Sequence, residues 1–439
     1  MATLGEEFAG VLIAAARRVG DGLFTSEAVV AAAATRLAAG GGLFVASNAP
    51  GFVSDVIGKG AGLMMMRAYP NARPAVTDVV VVSWCSESAS PPDSVGSCEL
   101  DTAEMLADLR STGALLVTIG PALPGGDAPS MDTHCPKNAL TPRLSRAFGG
   151  ATFPVTSLTN VLCQWSFTAE LLSALARGGR MLAVYQSVLT PGGRERNALR
   201  AERWAAGNPW EPDWHGVAPA RGELAAEYLG ATVAILEGLD WQNIAAATEH
   251  CGAALKEGRR VVAYMIGHFP VWQWGMPGDH SGIERLEGGR HGQMPDTDEV
   301  AAKVCPIDYL LWNYQRIAPS KLACASQMSE GDVLLHLGYY SRPAEAYTAA
   351  RAKGASVVEI LAAGPGRDIV TNIDGSVSGA VSPGDIAFSI DPLWPWGDGL
   401  VAVDGLDVEV LPSSGYGQAA MWWMIAAGVV DGATNNPRL

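Results

Sequence analysis

His268 and Glu345 are the side chains best suited by type and position to move a proton. His268 closes the run Met265-Ile266-Gly267-His268. A histidine at the carboxyl end of a parallel strand faces the usual ligand crevice and titrates near neutrality. Glu345 falls in the first turn of a helix that follows an apolar run, Val333 to Leu337, and a tight loop, Gly338-Tyr339-Tyr340-Ser341-Arg342-Pro343. A carboxylate there either steadies the helix N-terminus or serves as a general base. The loop offers Gly338, Tyr340, Ser341 and Arg342 to a ligand, yet a phosphate-cradling loop is normally rich in Gly, Ser and Thr, and this one carries two tyrosines. Ser47 and Asn48 lie in a similar loop, and Ser413 and Ser414 precede the last helix, where they cap it or reach a ligand. His280 and Glu284 are four apart and would share a face in a helix. Asp279 and His291 lie in the same stretch, but two acceptable spacings are a weak signal for the three or four convergent ligands zinc needs, so no metal is expected. With no P-loop and no dinucleotide fingerprint, no cofactor is expected either.

The elements that must position these groups alternate between strand and helix. The apolar runs "LFVAS", "VVVVSW", "LLVTI", "VVAYMI", "VLLHL", "SVVEIL" and "IAFSI" are separated by helical stretches. This predicts an α/β protein with parallel sheets covered by helices. The pattern also repeats. Two helices and the strand-loop "GGLFVASNAPGF" match two helices and "RRVVAYMIGHFP", with Val45 opposite Ala263 at an offset of 218. Gly120 in "ALLVTIGPALPGG" stands opposite Gly338 at the same offset. "TSLTNVLCQW" matches "SSGYGQAAMW" at an offset of 257, with Trp165 opposite Trp422. The 39 extra residues predict a strand-helix piece missing from the first copy. The expected division is a degenerate domain at 1–190, a Pro-, Gly- and Trp-rich linker at 191–222 that packs on the surface, and a second domain at 223–439.

The second copy resembles the SIS (sugar isomerase) domain family, and within it a bacterial branch of phosphosugar-binding proteins. Gly267-His268 stands where that branch has Gly-x-Gly-His-Ser. Gly331-Asp332-Val333, Gly338-Tyr339-Tyr340-Ser341-Arg342, Glu345 and Ala352-Lys353-Gly354-Ala355 follow its strand, loop and helix. "IDPLWPWGDG" and Pro412-Ser413-Ser414 follow its last turn and helix start. The resemblance implies two tandem three-layer α/β/α sandwiches. It also implies binding of a sugar or sugar-phosphate derivative, with aldose–ketose isomerisation if His268 opens the ring and Glu345 moves the proton. The alternative is a non-catalytic member acting as a sensor or structural subunit. Two serines of the family loop are replaced by Gly338 and Tyr340, so the loop is expected to hold phosphate weakly, with Arg342 pairing an acidic sugar.

Composition sets the outer bounds. Of 439 residues, 48% are apolar and 17% charged, and the net charge is −15, which argues against nucleic acid because phosphate backbones need clustered Lys and Arg. The N-terminal stretch is an amphipathic helix with two early glutamates rather than a basic signal segment, and the helix around 417–430 is too short for a bilayer. Seven cysteines without a CxxC pair suit reduced, buried thiols. These features predict a cytoplasmic protein without membrane or nucleic-acid partners. Pairing of SIS domains, and the need to cover Met421, Trp422 and Trp423, predict a homo-oligomer.

Overall fold

The computed structural model describes residues 2–22, 27–49, 51–85, 102–120, 130–132, 140–188, 190–212, 214–265, 279–285, 328–339, 342, 344–362 and 383–434. Helices α1 (Leu4–Gly22) and α2 (Glu27–Ala38) lead into strand β1 (Leu43–Ser47), the short α3 (Phe52–Val56), β2 (Met66–Ala68) and β3 (Val79–Ser83). Then come α4 (Thr102–Ser111), β4 (Leu115–Gly120), β5 (Ser130–Asp132), α5 (Pro142–Ala147) and α6 (Phe153–Arg177). After α7 (Gly193–Ala205) the order resumes with α8 (Glu223–Gly238), α9 (Trp241–Lys256), β6 (Val261–Met265), β7 (Glu284–Arg285) and β8 (Val333–Tyr339). The chain continues through α10 (Ala344–Ala352), β9 (Ser356–Ala362) and β10 (Phe388–Ile390). It ends with the hairpin β11 (Gly399–Val401) and β12 (Val410–Pro412), then α11 (Ser414–Thr434).

The protein is α/β, with two five-stranded parallel sheets of one strand order: β2-β1-β3-β4-β5 and β7-β6-β8-β9-β10. Strand β1 takes the place of β6, and both start at the predicted offset, Leu43 and Val261. The second landmark fails. Strand β8 takes the place of β3, so Gly338 has no counterpart in Gly120, whose strand β4 stands opposite β9. Among the described residues both sheets have five strands, so no strand is missing from the first sheet relative to the second there. The extra length of the second half lies largely between β7 and β8: 333 − 285 = 48 positions, against 79 − 68 = 11 between β2 and β3.

Each sheet is apolar on both faces, as parallel sheets must be. Leu43, Val45, Val79 and Val81 point into the main core, and Phe44, Ala46, Val80 and Val82 meet Met105, Leu106 and Leu109 of α4 on the opposite face. In the second sheet Val333, Leu335 and Val358 join the main core, and Val262, Leu334 and Val357 meet Ala346, Tyr347 and Ala350 of α10. Between the sheets lie α1, α6, α8 and α11, packed on one another. Trp423 of α11 stacks edge-on against Phe148 and Phe153, and Gly5 of α1 lies against Met424. The apolar residues of α11 therefore find their cover within the chain.

The 191–222 segment carries α7, and an ion cluster ties it to the stretch between β11 and β12. Arg196 donates to both carboxylate oxygens of Asp407 (3.0 Å each from Nε) and to Glu211 (2.7 Å), and Arg200 adds a bond to Glu211 (3.1 Å). No helix among the described residues is long and apolar enough to cross a membrane. Cys85, Cys163 and Cys251 are buried and in no disulfide, and burial pushes the Cys251 thiol up to about 12.

Candidate functional site

In an open parallel sheet, ligands bind at the carboxyl ends of the strands where the chain path reverses direction. Here β2 lies on one side of β1 and β3 on the other, so the reversal falls between β1 and β3, and in the second sheet between β6 and β8. Of the sequence candidates, Ser47 and Asn48 lie at the first and Gly338 and Arg342 at the second.

At the first, Ser47 and Ser83 are paired across β1 and β3, and both are buried. The Ser47 hydroxyl accepts from the Ala49 N–H (2.9 Å). Asn48 spans the mouth: its amide donates to the Cys85 carbonyl and accepts from the Cys85 N–H, both at 2.8 Å. Asn160, one side of α6, donates to the Ser83 hydroxyl (3.1 Å) and the Trp84 carbonyl (2.9 Å), while its own carbonyl oxygen is buried without a partner. The sequence reading missed Asn160. An amide in the otherwise apolar stretch "TNVLCQW" was the available signal, since a buried amide demands hydrogen-bond partners.

The start of α11, from the other half of the chain, lies against α3, the helix that follows β1. Asp398 accepts four bonds there: from the Ser413 N–H (3.0 Å) and hydroxyl (3.1 Å), and from the Ser414 N–H (2.7 Å) and hydroxyl (2.9 Å). Asp398 holds this position with φ of 76°, in the left-handed region that asparagine and aspartate tolerate better than most residues. Ser413 and Ser414 are thus both held by an internal carboxylate. Asp55, at the end of α3, lies directly against Gly415, where a Cβ would collide with its carboxylate. The Lys59 ammonium is 4.0 Å from Asp55, and its side chain is only 12% exposed. Burial lowers the Lys59 pKa, against the opposing pull of Asp55 and Asp398. Burial likewise raises the phenols of Tyr228, on α8, and Tyr416. None of Asp55, Lys59, Asp398 or the two tyrosines was singled out from sequence.

At the second crevice Gly338 lies in β8 beneath the ring of His336, leaving no room for a side chain. His336 and Glu359 are register partners on β8 and β9, both fully buried. Arg342 does not reach outward from its loop. Its Nε and Nη2 both donate to the Glu359 carboxylate (3.0 and 2.8 Å). That carboxylate also accepts from the Tyr347 hydroxyl (3.0 Å) and the Ser389 hydroxyl (2.7 Å), and the Tyr347 oxygen is 2.6 Å from His336 Nδ1. Since the Tyr347 proton is committed to Glu359, Nδ1 carries the proton of the His336–Tyr347 bond.

Gly267, His268, Tyr340 and Ser341 lie outside the described residues, as does the side chain of Glu345, whose backbone is in the first turn of α10. The proposed helical face of His280 and Glu284 is absent: 279–283 is irregular, Glu284 opens β7, and His280 packs against Gly149 instead. Among the described residues no group of His, Cys, Asp and Glu could hold a metal. Trp394 is buried against Gly417 of α11, and Trp396 is partly exposed.

No family model matches this sequence, and no curated protein does. Among solved structures, the C-terminal domain of glucosamine-fructose-6-phosphate aminotransferase from Francisella tularensis is similar, at 10% identity and a TM-score of 0.41, over 98% of this chain and 95% of that one.

Proposed function

We propose that the chain is a tandem protein of the SIS type. Its copies are 1–190 and 223–439, joined by 191–222, and it binds a sugar derivative at the carboxyl ends of its sheets. The observation that carries this reading is the clustering of polar side chains at both points of chain reversal, where an α/β sheet otherwise buries only apolar residues. A sugar hydroxyl donating to the unpartnered carbonyl oxygen of Asn160 would complete the first cluster. The sequence motifs around Gly267-His268 and Gly338–Arg342 support the same reading.

Binding without turnover is the form the geometry supports best. Asn48, Arg342, Ser413 and Ser414 all bond to groups of the chain itself, an arrangement that fixes a crevice rather than presenting reactive atoms. Calorimetric titration of the full chain with a panel of sugars tests the proposal, and a millimolar or tighter complex is expected. Asn160→Leu, which removes the free acceptor, should weaken that complex about tenfold, the loss of one hydrogen bond at about 1.4 kcal/mol. Heat from none of the panel would sink the reading. Isomerisation is tested separately by proton exchange next to the sugar carbonyl in heavy water, where no exchange above background is expected.

A further inference from the structure

Each crevice holds one buried carboxylate bonded to donors of a kind that could otherwise serve a ligand's anionic group. In the first it is Asp398. A phosphate at a helix N-terminus is held by backbone N–H groups and neighbouring hydroxyls, with the helix dipole behind them. Those donors at the start of α11, two N–H groups and two hydroxyls, are all bonded to Asp398 at 2.7 to 3.1 Å. Asp55 adds a second carboxylate against the same turn, and the neighbouring cation, Lys59, is already paired with it.

In the second crevice the carboxylate is Glu359. Arg342 is the cation of its loop, and it lies in a two-point bond to Glu359, a side chain with 0% exposure. For a phosphate to take Arg342, this carboxylate would have to be left uncompensated in the core beneath α10, and the bonds from Tyr347 and Ser389 do not supply a balancing charge. Sequence alone suggested Arg342 as a partner for an acidic sugar. The geometry reverses that expectation. The net charge of −15 adds a long-range field of the same sign.

We infer that Asp398 and Glu359 set specificity by occupying the anion positions of the two crevices, so that the ligand is an uncharged sugar or polyol and phosphorylated sugars are excluded. The inference rests on the sugar-binding reading above and gives it a substrate class.

The test is titration of the full chain, wild type and the variants Asp398→Asn and Glu359→Gln, with inorganic phosphate and with three matched pairs: glucose, fructose and N-acetylglucosamine against their 6-phosphates. Circular dichroism and melting curves check that the variants fold. In the wild type, no heat is expected from millimolar phosphate, and any sugar that binds should do so at least about tenfold more tightly than its phosphate. Each folded variant should gain about tenfold or more in phosphate affinity. Asp398→Asn keeps an acceptor for Ser413 and Ser414 and tolerates the left-handed backbone, so it decides the matter should Glu359→Gln unfold. Tighter wild-type binding of a phosphorylated sugar, or no gain of phosphate in a folded variant, overturns the inference. Failure of every neutral sugar would instead remove the sugar-binding reading, and the phosphate titrations would still report on the two carboxylates.

Discussion

Tyr347 shares one hydroxyl between His336 and Glu359, and that sharing makes the outer core of the second sheet sensitive to single atoms. Tyr347→Phe should cost about 1–3 kcal/mol, because it leaves a buried carboxylate oxygen and an imidazole nitrogen short of a partner. Glu359→Ala should cost more, about 3–5 kcal/mol, because Arg342 loses the charge it is folded around. Urea denaturation of both variants reads the difference, and equal losses would contradict the network. A third residue responds to pH. Glu170 is buried on α6 and accepts from the Gly222 N–H ahead of α8 (2.9 Å); burial raises its pKa from 4.5, opposed by Gly222, Arg177 and Arg221. Its folded pKa is above its unfolded one, so its favourable contribution is complete below pH 4.5 and is lost as pH rises through the folded value. Glu170→Gln should therefore melt above wild type at pH 7, with the advantage closing as pH falls to 4.5. Part of this chemistry was legible. His336 within "VLLHL" and Glu359 within "VVEIL" interrupt strands that burial would otherwise keep apolar. Asp55, Lys59 and Asp398 gave no comparable sign, since they lie in irregular, Gly-rich stretches and meet only in the folded chain.

At the scale of elements, apolar run and turn chemistry sufficed to place the parts. The strand expected at 333–337 extends through Tyr339, and the one expected at "SVVEIL" extends through Ala362. The pairing of the two halves was harder to read, because a glycine closing a buried strand occurs in both β4 and β8 and the long β7–β8 connection shifts everything after it. Close helix packing gives an opposed pair of predictions. Gly428 of α11 sits against Thr248 of α9, where a Cβ would be 2.9 Å from the Thr248 Cβ, whereas nothing lies within 4 Å of Gly230 on α8. Gly428→Ala should destabilise by about 1–3 kcal/mol through overpacking. Gly230→Ala should stabilise by up to about 1 kcal/mol, the ordinary gain in helix propensity. Thermal melts of the two variants should shift in opposite directions.

Over the whole molecule, one core joins both sheets through α1, α6, α8 and α11. A shared core of this kind should melt as a unit, so scanning calorimetry is expected to show one transition. Two resolved peaks would mean that the halves are independent. The need to cover α11 was one reason to expect a second chain. That cover comes from α1, α5, α6 and α9, so any oligomer must use another surface.

The seating of Gly5 against Met424 carries a consequence for biosynthesis. Among the described helices α1 is made before α11, so this seat forms only once α11 has emerged. Until then the face of α1 around Gly5 lacks its native neighbour. The nascent chain is therefore a natural client for chaperones that shield exposed apolar segments, and a ribosome stalled short of α11 should release a product that aggregates rather than a smaller working protein.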